Sequence, residues 1–142
     1  MAENDNLTKE KKMKMLKWLL LGVGVVASLM GIVGLLFPFE ETGFIAHAFR
    51  WEPYNEPYER MILMIFLAMG ICMILASRKP EKHLLIVLFV ILHGFLHGGV
   101  MLFDSFARPH ELAHLVGDVP MLIGIGVLFS LVMPWGDFMK SL

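Results

Sequence analysis

Four apolar stretches, at 16–37, 61–76, 84–103 and 112–133, take up more than half of the chain, the last of them interrupted by Asp118. Crossing the hydrocarbon core of a bilayer takes about 20 residues of helix, and about 17 suffice. The second stretch reaches that length once residues 58–60 are counted as its interfacial turn. Lipid offers no partner for a backbone N–H or C=O, so each such stretch must satisfy its own hydrogen bonds as a helix. At 57% apolar residues in 142, the composition is also too greasy for a soluble domain of this size. The expected fold is an all-α integral membrane protein. It is a single four-transmembrane-helix bundle with spans at 15–37, 58–77, 84–104 and 111–133, preceded by a frayed or interfacial cytoplasmic leader over 1–14.

Charge distribution orients the bundle. Lys9, Lys11, Lys12, Lys14, Lys17, Arg78, Lys79, Lys82 and Lys140 flank the spans on one side, and only Arg50, Arg60 and Arg108 lie on the other. The positive-inside rule then places both termini in the cytoplasm and segments 38–60 and 104–111 outside. The start has the look of a signal peptide, but its apolar core is about twice the usual length and no small-x-small cleavage site follows. A retained first helix is expected. Cys72, the only cysteine, lies inside the second stretch, so no intramolecular disulfide and no cysteine-based metal motif exists.

Between the first two spans, Phe44, Ile45, Ala48, Phe49 and Trp51 fit one apolar face with Glu41, His47 and Arg50 off it. A short amphipathic helix in the outer interface is expected there. Small residues in the first span, including Ala27 and Gly31, allow close helix approach, chiefly within the bundle and alternatively at a homodimer seam. The short 77–83 turn makes spans two and three antiparallel neighbours. Pro134 and Trp135 read as an interfacial stop after the fourth span.

Residues 93–120 gather four of the six histidines and two aspartates into this apolar chain. With about 100° per residue, His93, His97 and Asp104 share a face of the third helix, and His110, His114 and Asp118 form a stripe on the fourth. Both stripes lie in the outer halves of their helices, at similar depth. An ionised carboxylate in lipid costs several kcal/mol unless it is paired or protonated, so the stripes are expected to face each other around a hydrated cavity between spans two, three and four. Pro120 and Gly117 suggest a kink beside it. Glu59 and Arg60, at the same end of the second span, extend the polar lining.

Several chemistries fit this arrangement and stay open. His93, His97, His114 and Asp118 offer two i, i+4 ligand pairs for a transition metal, Zn, Fe or Cu. Histidines on facing helices are also axial ligands for a haem b. A proton or solute path through His97, His114 and Asp118 is a third option. A buried network that holds helix register is the fourth. His83, at the cytoplasmic turn, is expected to be solvated. The twelve methionines are scattered and read as core packing. No Walker, dinucleotide, HExxH or GxSxG motif is present, nor a basic stripe for nucleic acid.

From residue 58 onward, and most specifically in "ASRKPEKH", "HGGVM" and "HLVGDVP", the chain resembles a family of small bacterial four-span membrane proteins of unknown function. In architecture it is distantly similar to the DoxX-like group, some members of which accompany quinone-linked oxidoreductases. The resemblance implies a four-helix bundle and supplies no catalytic residue. It matches His97, His114 and Asp118 and departs at His93, where the family tends to have a small polar residue. A site of His97, His114 and Asp118, with Glu59 as a further member, survives that departure better than the four-ligand set.

The expected function is that of a non-enzymatic inner-membrane protein, an accessory subunit or a binder of a small ligand, proton or metal at the outer cavity. Its partners are the bilayer, subunits of a membrane complex, or a second copy of itself. The rival expectation is a metal- or haem-dependent membrane oxidoreductase.

Overall fold

The computed structural model describes residues 2–36, 48–51 and 53–141. All regular structure among them is helical. Helix α1 is Ala2–Leu36, α2 is Glu56–Ala76, α3 is Leu84–Ala107, α4 is Asp118–Val132 and α5 is Trp135–Ser141. Short 3-10 segments cover Pro80–Lys82 and Pro109–Val116. Residues 41–47 of the expected amphipathic segment, His47 among them, lie outside the described residues. Of that segment, Ala48 is buried, Phe49 is exposed, and Arg50 and Trp51 are half-buried.

Helices α1 (over Lys9–Leu36), α2 and α3 are each long and apolar enough to cross a membrane. The pair Pro109–Val116 and α4, bent by 42° at the break between them, makes a fourth if the two are taken together. At most 33% of any apolar window in α1, α2 or α3 is buried within the protein. Val25, Leu29, Ile65, Leu96, Val100 and Leu131 are all exposed. Apolar surface on this scale does not stay open to water, and lipid is the solvent that suits it.

The helices pair as α1 on α2 and α3 on α4, and α2 packs on α3 much less closely than either packs on its partner. This modifies the expected neighbourhood of spans two and three. The reason lies in the glycines. A β-carbon on Gly24 would fall 2.9 Å from the Gly70 carbonyl oxygen, and one on Gly94 would fall 2.7 Å from that of Leu122. In lipid no hydrophobic force drives helices together, so the seams where backbones approach most closely decide the pairing. Gly31, with Leu63 and Leu67 against it, serves the same α1–α2 seam.

Two local features also differ from the expectation. Helix α1 runs on through the charged leader, and its 35 residues extend well beyond one bilayer core at about 1.5 Å each. After Pro134 the chain does not simply stop. Helix α5 follows the break, burying Phe138 against a core that includes Leu16, Leu20, Met73, Val87 and Phe129. Lys9 Nζ and Asp137 Oδ2 are 2.8 Å apart, so the start of the first apolar window and the C-terminal helix share one end of the molecule.

Candidate functional site

The opposite end is built around a break. Arg108 is extended at φ −126° and ψ 101°, which suits the residue before a proline, and Pro109 opens the 3-10 segment. A 3-10 helix returns to the same face every three residues. Glu111 and His114 are therefore eclipsed and point inward together, at 2% and 0% exposure. His110 is turned off that face, and its side chain is 58% exposed. The α-helical stripe of His110, His114 and Asp118 is thus replaced by Glu111, His114 and Asp118, because the winding here is three residues per turn. Gly117 ends the segment, with the Ala48 carbonyl lying where a β-carbon would be. The bend sits at Gly117 rather than at Pro120, which occupies the first turn of α4, where its missing N–H costs no hydrogen bond.

Across the break, His114 is held between two carboxylates. Its Nδ1 lies 3.0 Å from Asp118 Oδ1 and 3.0 Å from Oδ2, and its Nε2 lies 3.1 Å from Glu111 Oε2. Trp51 stacks on the imidazole with ring centroids 4.2 Å apart and planes 14° from parallel. An ionised carboxylate only accepts, and a neutral imidazole donates from one nitrogen alone. Two such contacts need a proton in each, so either the ring is an imidazolium or one acid is protonated.

Asp118 faces outward from this triad onto a cavity of about 220 Å³. Its other polar walls are Arg50, Asn55, Glu59 and His97, and the remainder is apolar or aromatic, including Trp51, Tyr54, Tyr58, Phe66 and Met121. Met30 of α1 and Phe49, Arg50, Trp51, Pro53 and Tyr54 also line it, so the cavity draws on more of the chain than spans two, three and four. Glu59 Oε2 sits 3.4 Å from Arg50 Nε, and it accepts no hydrogen bond among the described residues. The Arg50 guanidinium lies over the Tyr54 ring, 3.3 Å from its centroid. Asn55 caps α2 by accepting from the Tyr58 N–H at 3.1 Å, and Pro57 and Glu59 suit that first turn, which fixes Glu59 at the cavity mouth.

Of the residues singled out from sequence, Glu59, His97 and Asp118 meet at this cavity, and His114 lies just behind Asp118. His93 is one turn away, its Nε2 3.2 Å from His97 Nδ1. Asp104 and Arg60 are not in the lining, and Arg60 pairs instead with Glu56 on an exposed helix face. Of the proposed metal set, His93 contacts His97 and His114 contacts Asp118, and His97 and Asp118 line the same cavity. Among the described residues no group of three or more His, Cys, Asp or Glu is arranged to hold a metal ion. Sequence reasoning missed Glu111, Arg50 and the stacking role of Trp51. The available signal for Glu111 was Pro109 followed by an i, i+3 Glu/His spacing closed by Gly117, a length that suits a short, tightly wound segment.

The profile of a family of unknown function, DUF6632, matches residues 11–141. The chain belongs to that family. No curated protein and no solved structure matches it. The DUF6632 match takes in every cavity residue described above, from Met30 to Leu122.

Proposed function

We propose that this DUF6632 member is a four-span protein of the bacterial inner membrane, N-in and C-in, whose outward-opening cavity binds a small ligand as part of an accessory subunit of a redox or transport complex. The observation that carries this reading is the convergence of Glu59, His97 and Asp118, from three different helices, on one otherwise apolar cavity. Ionisable groups in lipid are costly, and such a cluster around an open space is the usual mark of a binding or transfer site. Taking the bent pair as one broken span supports four crossings, because its irregular backbone is covered by the 48–51 segment. The basic residues around Lys9, Arg78 and Lys140 support a cytoplasmic face at the end away from the cavity.

The rival is a metal- or haem-dependent oxidoreductase. The geometry favours the first reading, since both ring nitrogens of His114 are engaged by carboxylates and leave no lone pair for a metal.

Native mass spectrometry, metal analysis and an absorption spectrum on gently solubilised protein test the choice. A small organic molecule retained by the wild type and lost from Met121→Trp, which fills the cavity, is the expected result. Stoichiometric metal or a Soret band, lost in a His97→Ala, His114→Ala double variant, would move the assignment to the rival.

A further inference from the structure

His114 is fully buried, yet its ring has two chemical exits. Asp118 occupies one ring nitrogen, Glu111 occupies the other, and Trp51 covers a face of the imidazole. A ring proton can therefore leave only through one of the two carboxyl groups. Glu111 leads to the surface: its Oε2 is 3.1 Å from His114 Nε2, and its Oε1 is 3.5 Å from Nε2 of His110, whose side chain is 58% exposed. These contacts use different oxygens, so the further contacts of Glu111 leave both in place. Asp118 leads inward, since it holds His114 Nδ1 and also lines the cavity. At about 220 Å³ that cavity has room for water, with Asp118, His97 and Glu59 as polar partners.

We propose that Glu111, His114 and Asp118 relay a proton between the surface at His110 and the cavity. Imidazole suits the middle position because it can take a proton at one nitrogen and release another from the second. His110 takes a proton from bulk water and passes it to Glu111 Oε1, and a half-turn of the carboxyl group brings the new O–H to His114. That O–H breaks as an N–H forms at Nε2, leaving an imidazolium between two carboxylates. The Nδ1–H then breaks as an O–H forms on Asp118, and the ring is neutral again. Asp118 gives the proton to water in the cavity or to a basic atom of a ligand there. The ring regains its first form when these steps run backwards, so each event loads or unloads one proton. Water suffices as the acceptor, so the relay stands apart from the reading of the cavity as a ligand site.

Proton NMR of the full chain in nanodiscs, at fixed pH, follows the two hydrogens that His114 shares with its acids. Loss of one downfield signal in Glu111→Gln assigns the pair; should that variant fail to fold, isotope-labelled ring nitrogens distinguish the Nδ1 side from the Nε2 side. In the wild type both hydrogens should exchange with water faster than the amides of Leu122 and Phe129, which are buried on α4. His110→Gln, at an exposed position, should slow the hydrogen on the Glu111 side by about tenfold or more, the low side of what a positioned acid–base group contributes. Met121→Trp, which fills the cavity, should slow only the hydrogen on the Asp118 side. A signal that exchanges too fast to be seen in the wild type should emerge in the variant that blocks its exit. A purely structural network exchanges by local opening, so both hydrogens would follow the nearby amides and neither variant would slow one alone. That pattern, or a signal missing from the wild type and both variants, would overturn the relay.

Discussion

His114 and Asp118 are joined across a break in the chain: the ring Nδ1 lies 3.0 Å from both carboxylate oxygens, although one residue belongs to a 3-10 segment and the other opens an α-helix. The bond therefore closes the 42° bend as well as lining the site. Structure and chemistry share the same contact.

Replacing Asp118 by Asn keeps one acceptor but removes the charge that His114 faces. A loss of about 1–3 kcal/mol is expected, the range for a weakened buried hydrogen bond. His83→Gln, on an exposed side chain at the α2–α3 turn, should stay within about 0.5 kcal/mol. Thermal unfolding in detergent compares the two, and equal, negligible shifts would show that the Asp118 contact contributes nothing to the fold.

Glu111 and Asp118 act on the same ring from opposite sides, so their losses should not add. The Glu111→Gln, Asp118→Asn double variant is expected to deviate from the sum of the singles by about 0.5–3 kcal/mol. A double-mutant cycle by thermal or denaturant unfolding measures this. Strict additivity would mean that the two acids do not share His114.

Gly117 is held in place by the Ala48 carbonyl, which occupies the space of a β-carbon. Gly117→Ala must push the 48–51 segment away and should cost about 1–3 kcal/mol, the usual range for overpacking. Gly99, with nothing within 4 Å of its β-carbon position, is the control. Gly99→Ala should be neutral or stabilise α3 by up to about 1 kcal/mol. The reverse order of melting temperatures would contradict the described approach of Ala48 to the break.

The α3–α4 seam gives a parallel comparison in the lipid-facing part of the protein. Gly94→Ala meets backbone at Leu122 and Gly126, whereas Gly124→Ala meets nothing within 4 Å. Only the first should separate the helices, measured as a lower melting temperature and a changed distance between spin labels on α3 and α4. Unchanged distances in Gly94→Ala would show that the seam is looser than described.

Much of this molecule is legible along the chain. Hydropathy is a local sum, so the long apolar stretches, their helical state and the grouping of basic residues at one end follow from residue order alone. The depth of His97 and Asp118 within their stretches is likewise a matter of counting residues. Their meeting at one cavity with Glu59, by contrast, depends on how helices pair, and that was settled by glycine seams whose partners lie far apart in sequence, Gly24 with Gly70 and Gly94 with Leu122 and Gly126. The identity of the third acid also escaped a local reading. At 100° per residue His110 accompanies His114, and at 120° Glu111 does; the choice between the two windings was made by Pro109, by the break at Gly117 and by the Ala48 carbonyl that crosses it. Residue order determined which groups must be sheltered from lipid, while only the packing of distant segments decided which of them shelter one another.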